Sequence, residues 1–116
     1  MLIPQQATRL RIYIGEDVLQ GSRPLFEIIV EQARRQGLAG ATVLRGISGY
    51  GANSRIKTSK ILMLSEDLPV VVEIVDAQDK IERFLLYVDE TIGEGLVTME
   101  QVRVVFYRHS GAGGKR

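Results

Sequence analysis

The chain has 116 residues, no cysteine, a formal net charge of +1 and 45% apolar residues. That length suits one domain with a core of its own, and the missing cysteine excludes disulfides, a thiolate nucleophile and a thiolate metal site. The near-neutral charge argues against a broadly basic nucleic-acid binder, so no nucleic acid is expected as a partner.

Residues 1–6 carry neither the basic nor the long apolar region of a secretion signal. No apolar run approaches the roughly 20 residues that span a bilayer, so a cytoplasmic protein is the expectation. Residues 8–15 alternate, with Leu10, Ile12 and Ile14 on one side and Arg9, Arg11 and Tyr13 on the other, which predicts a half-buried strand. A helix is predicted from Ser22 or Arg23, with Pro24 in its first turn, an apolar face from Leu25 to Ala33, and Gly37 as its stop. Residues 41–45 read as a second strand that runs into a glycine-rich stretch, Gly46, Gly49 and Gly51. A long polar excursion through Lys60 follows, then a short apolar run at 61–64 and a turn at 65–69. Residues 70–75, mostly β-branched, give the clearest strand. Asp76 is placed to cap a second helix, with Asp79 in its first turn. Ile81, Phe84, Leu85, Val88 and Ile92 form one helical stripe, ended by Gly93 and Gly95. A last strand is predicted over 97–108, with Val102, Val104 and Phe106 alternating with Arg103, Val105 and Tyr107.

The order strand, helix, strand, strand, helix, strand predicts an α+β ferredoxin-like βαββαβ fold: a four-stranded antiparallel sheet with both helices on one face. A single domain over 1–116 is expected, with its core at about 7–108 and a flexible tail at 109–116. Val105 and Tyr107 beside Arg103 on the uncovered sheet face suggest a partner there, and three such sheets can pack into a closed trimer core.

Charge is unevenly spread. From 32 to 65 there is no acid, but there are Arg34, Arg35, Arg45, Arg55, Lys57 and Lys60; from 66 to 100 there are ten acids against Lys80 and Arg83. This suits a solvated pattern, an anion site in the basic half, or packing of basic faces on acidic faces. The lone His109 has no second His or Cys to complete a nucleophile–base pair or a transition-metal site. The paired acids Glu16-Asp17, Glu66-Asp67 and Asp89-Glu90 sit at element edges, where solvated carboxylates are the norm. A hydrolase using Glu16, Asp17 or Glu94 with a metal is a minor alternative, and no metal site is assigned. Two glycine loops stand out, Arg45 to Gly51 and Ile92 to Leu96. Glycine allows backbone N–H groups to approach a phosphate, although neither loop has the Gly-Lys-Ser/Thr of a P-loop, and either could be a plain turn. An RNA-reading sheet would need aromatics to stack bases, and the first loop supplies only Tyr50.

The stretch from Gly37 to Gly51, the run Asp67-Leu68-Pro69-Val70-Val71-Val72-Glu73-Ile74-Val75-Asp76 and the early Ile12-Tyr13-Ile14-Gly15-Glu16 resemble the domain-of-unknown-function-190 family over about 7–108. That family is similar in fold to the trimeric PII signalling proteins. The resemblance implies a regulatory protein rather than an enzyme: a homotrimer that binds a small anionic effector between subunits, with a nucleotide as one candidate. It implies a partner loop at about 51–60, carrying Asn53, Arg55, Lys57 and Lys60 after Tyr50, that engages a membrane transporter or channel. Relatives accompany CrcB-type fluoride channels, which makes such a channel the implied partner. The ligand-binding positions it implies are Arg45, Gly46, Gly49, Gly51, Gly93, Glu94, Gly95, Arg103 and Arg108. Leu96 stands where PII proteins usually carry Lys, which argues against ATP as the ligand. The alternative is a trimeric scaffold that binds a partner with no small ligand.

Overall fold

The computed structural model describes residues 3–50 and 68–110. The expected loop at 51–60, the apolar run at 61–64, most of the following turn and the end of the tail lie outside them.

β1 (Gln6–Gly15), alternating in burial, is one of the two inner strands of the sheet. It pairs antiparallel with β5 (Pro69–Asp76) on one side and β6 (Leu96–Arg103) on the other, and β4 (Thr42–Arg45) pairs with β5. The strand order is β4-β5-β1-β6. Helices α1 (Leu25–Arg35) and α2 (Gln78–Thr91) cover one face. With β1, β4, β5 and β6 they make the expected ferredoxin-like βαββαβ sheet. The core lies between the two layers: Leu10, Ile12, Ile14, Val72 and Ile74 from the sheet meet Leu25, Ile29 and Ala33 of α1 and Ile81, Phe84 and Val88 of α2. The buried residues on each helix recur at three- and four-residue spacing, so one stripe of each is removed from water. At the end of α1, Gly37 adopts φ 79°; its N–H donates to the Arg34 carbonyl and that of Leu38 to the Ala33 carbonyl, closing a Schellman motif over the buried Leu38.

The observed elements depart from the sequence expectations at both helix starts and in the last strand. A two-residue hairpin, β2 (Leu19–Gln20) with β3 (Arg23–Pro24), precedes α1, so Ser22 lies in its turn. Pro24 is extended at ψ 131° and flanks the helix from outside rather than sitting in its first turn. Asp76 does not cap α2. It is the last residue of β5, it shares the inward parity of Val72 and Ile74, and it is fully buried. Its carboxylate accepts from the backbone N–H of Ala39 at 2.9 Å and of Ala77 at 2.7 Å. It therefore ties the loop after α1 to the start of α2. The last strand stops at Arg103, five residues early, because β1 offers no partner past Gln6 beyond one bond from the Val104 N–H to the Gln5 carbonyl. Finally, the two sides of that strand are exchanged. Val102 pairs with Ala7, and Arg103 pairs with Gln6, which has the parity of the inward Leu10. Arg103 thus belongs to the helix side, and Val105 and Tyr107 lie beyond the sheet.

Candidate functional site

Strand register gathers the two glycine loops at one end of the sheet. Arg45 lies opposite Val70, and Ile14 opposite Val70 on the other side; the preceding residue of β1, Tyr13, lies opposite Leu96. Arg45, Val70, Ile14 and Gly95 therefore follow one another across the sheet. Four strands at about 4.8 Å spacing put the outer two about 14 Å apart, within reach of one small ligand and its side chains.

Close packing shapes this end. The Gly46 N–H donates to the Pro69 carbonyl at 2.8 Å, and a Cβ on Gly46 would lie 2.7 Å from the Pro69 ring. Gly95 has φ 154°, and a Cβ there would lie 2.8 Å from the Tyr13 carbonyl oxygen. Both glycines are thus required by the fold itself, whatever else they do. A Cβ on Gly93 meets nothing within 4 Å, so this position and the exposed Glu94 beside it are open. Tyr50 is exposed, as is Ile47. A cleft of about 420 Å³ lies between α2 and β6, lined by Leu85, Val88, Asp89, Ile92, Gly95 and Val97. Its walls are mostly hydrocarbon, with Asp89 as the one ionisable group among these lining residues.

The cations divide. Arg45 is at the glycine-loop end, where its guanidinium pairs with the Glu16 carboxylate. The Glu16 N–H donates to the Leu68 carbonyl, so this pair links the ends of β1, β4 and the chain entering β5. Arg103 closes the far end of β6, seven residues from Leu96 and about 23 Å away along the strand. Arg108 lies further on, stacked 4.2 Å over the Phe106 ring, with Tyr107 and His109 in contact beside it. Within the chain, strand register places Arg45, Gly46, Gly49, Gly93, Glu94 and Gly95 at one end of the sheet and separates Arg103 and Arg108 from them. Gly51, Asn53, Arg55, Lys57 and Lys60 fall outside the described residues. Among the described residues no three His, Cys, Asp or Glu cluster as a metal site would require.

Sequence reasoning missed a second constellation, on the sheet face turned away from the helices. Arg11 and Glu73 are directly opposite across β1 and β5, with Nε to Oε2 at 2.7 Å; Arg9 and Glu100 are directly opposite across β1 and β6, with Nε to Oε1 at 3.1 Å. A diagonal contact of 3.9 Å from Arg11 to Glu100 joins the pairs into one ladder over three strands. The Glu73 hydrogen bond holds the Arg11 guanidinium above its ordinary value, and the Arg9 hydrogen bond holds the Glu100 carboxyl below its own. Opposite charges at outward strand positions were the signal available in the sequence. Only the register says which meet.

Known proteins share this architecture. The family profile of DUF190, described as "Uncharacterized ACR, COG1993", matches residues 7–104. The chain belongs to the DUF190 family. A UPF0166 protein of Aquifex aeolicus is 43% identical over 99 residues, covering 84% of this chain and 91% of that protein. One from Methanocaldococcus jannaschii is 36% identical over 101 residues, covering 85% and 92%. Among solved structures, a PII-like protein from Thermus thermophilus superposes with a TM-score of 0.61 at 19% identity over 86% of this chain and 90% of that one. CPII from Thiomonas intermedia, bound to ADP and bicarbonate, gives 0.60 at 17% identity over 85% and 88%. This DUF190 chain therefore has the PII-like fold. No helix among its described residues is long and apolar enough to cross a membrane.

Proposed function

We propose that this DUF190 chain is a PII-like regulatory protein rather than an enzyme. Three copies bind a small anionic effector between subunits, at the sheet end that carries both glycine loops. The effector changes the affinity of the polar stretch 51–60 for a membrane transporter or channel. The observation that carries this reading is the convergence of Arg45, Gly46 and the Gly93–Glu94–Gly95 loop on one end of a PII-like sheet. The adenine nucleotide bound to CPII supports a nucleotide as the effector class. Leu96, exposed and apolar, adds no charge for a terminal phosphate, which favours a nucleotide with fewer phosphates than ATP or a smaller anion. Arg103 and Arg108 would have to come from a neighbouring copy, since their own loop is a strand length away.

A trimeric scaffold without a small ligand is the second reading. It is favoured by the Arg45–Glu16 pair, which occupies the cation that the first loop offers.

Thermal unfolding of the purified chain against AMP, ADP, ATP, bicarbonate and phosphate, with and without magnesium, separates the two. A ligand of the native state stabilises it by about 2.7 kcal/mol at a hundredfold excess over its Kd. A raised midpoint with one nucleotide class, lost in Gly93→Glu, is the expected result for the sensor. A flat response across the panel overturns it in favour of the scaffold. Gly93 is the position to change, because substitution at Gly95 or Gly46 strains the fold directly.

A further inference from the structure

Backbone bonds hold the neighbourhood of Arg45 and Glu16 independently of their side chains. The Gly46 N–H donates to the Pro69 carbonyl and the Glu16 N–H to the Leu68 carbonyl, both at 2.8 Å, so two consecutive residues anchor the end of β4 and the end of β1. The ion pair that closes this corner is unequal. The Glu16 side chain is 22% exposed and the Arg45 side chain 61%. The carboxylate is sheltered, while the arginine is open to solutes. A phosphoryl group offers a guanidinium the same two-oxygen face as a carboxylate, with more negative charge. It can take the guanidinium from Glu16 by a side-chain movement alone, because the backbone bonds of Gly46 and Glu16 do not depend on the pair. A largely exposed ion pair is weak, so Glu16 lowers the affinity for such a group without excluding it.

We infer that Glu16 is an internal competitor for Arg45: its carboxylate occupies the guanidinium that an anionic effector would use, and so raises the effector concentration at which the site fills. The inference rests on the sensor reading above and assigns to Glu16 the tuning of that same site. Glu16 acts through Arg45 and does not itself hold the effector, which makes it a positioning residue.

Isothermal titration calorimetry of the full chain with ADP and with inorganic phosphate, in a buffer otherwise free of phosphate, tests it. The proteins compared are wild type, Glu16→Gln, Arg45→Gln and the double variant, with far-UV circular dichroism as a check on folding. Glu16→Gln, which keeps the shape of the side chain, is expected to bind about threefold to fivefold more tightly than wild type, the range of a largely exposed ion pair. Arg45→Gln is expected to bind more weakly, and adding Glu16→Gln to it is expected to recover nothing, because the competition needs both partners. Glu16→Ala repeats the comparison if Glu16→Gln misfolds. Unchanged or weaker binding in Glu16→Gln, with a wild type that binds, overturns the competitor and leaves the sensor standing. An equal gain with and without Arg45 also overturns it, as the general effect of removing a negative charge near an anion. Binding by Glu16→Gln alone, with a silent wild type, supports the competitor in its strongest form. Silence of both proteins with both ligands overturns the sensor and the competitor together.

Discussion

The two faces of this sheet are built from alternate residues of the same strands, yet they solve burial differently. On the helix side Leu10, Ile12, Val72 and Ile74 are covered by α1 and α2 to near-zero exposure. On the other side Arg9, Arg11, Glu73 and Glu100 pair with one another and remain partly wet. The first face is finished by the chain's own folding. The second offsets its charges pairwise and stays in partial contact with water. The central strand therefore builds the core with its even-numbered residues and carries paired charges on its odd-numbered ones. The division predicts which substitutions unfold the subunit and which leave it intact.

The largest effect is expected on the helix side. Phe84→Ala empties a fully buried aromatic site between α2 and the sheet and should cost about 3–5 kcal/mol, read from urea unfolding. An unchanged urea midpoint would show that the helix face is not the core. Next is Asp76→Ala, which leaves the Ala39 and Ala77 N–H groups without their acceptor in a partly buried place. About 2–3 kcal/mol should be lost, and Asp76→Asn, which keeps one carbonyl oxygen, should lose less. Gly95→Ala sharpens the view of the glycine-loop end. Its strained φ and the contact with the Tyr13 carbonyl should cost about 1–3 kcal/mol even with no ligand present. A Gly95→Ala protein of wild-type stability would show that the fold does not require glycine there.

Subunit stability should change least on the open face. Arg11→Ala should shift the monomer's urea midpoint less than any of these, since water screens a partly exposed ion pair. The pH dependence of this face is small and has a definite sign. Glu100 is held below its ordinary value when folded, chiefly by the Arg9 hydrogen bond. Its contribution is therefore complete above the unfolded value of about 4.3 and is lost as pH falls through the folded value. Glu31, hydrogen-bonded by Arg23 on the β2–β3 hairpin, behaves in the same direction. Glu100→Gln should flatten part of the decline in urea midpoint that sets in as pH falls below the ordinary carboxylate range. An acid limb identical to that of wild type would show that the ladder is not formed in solution.

Much of this architecture is written locally. The stripe Ile81, Phe84, Val88 specified α2 because apolar groups three and four apart share a helix face. The alternation of β1 and the β-branched run of β5 specified two strands, since successive strand side chains face opposite ways. Gly37 specified where α1 stops, through a positive φ that other residues resist. The candidate glycine loops were visible as composition, and their neighbourhood was not.

What only the tertiary structure decided depends on partners far away in sequence. Asp76 has the chemistry of a helix cap, but its inward parity in β5 delivers it to Ala39 instead. Residues 104–108 continue a strand-like pattern, yet β6 ends where β1 stops offering hydrogen bonds. Arg103 was expected on the open face, and a register fixed by the β1 pairing turned it to the other, because a shift of one residue exchanges the faces of a whole strand. The meeting of Arg9 with Glu100 and of Arg11 with Glu73 has the same origin. The sequence alone determined which residues carry charge, which are apolar and with what period. The pairing of strands, a cooperative choice among distant segments, determined which of those residues share a face and which of them meet.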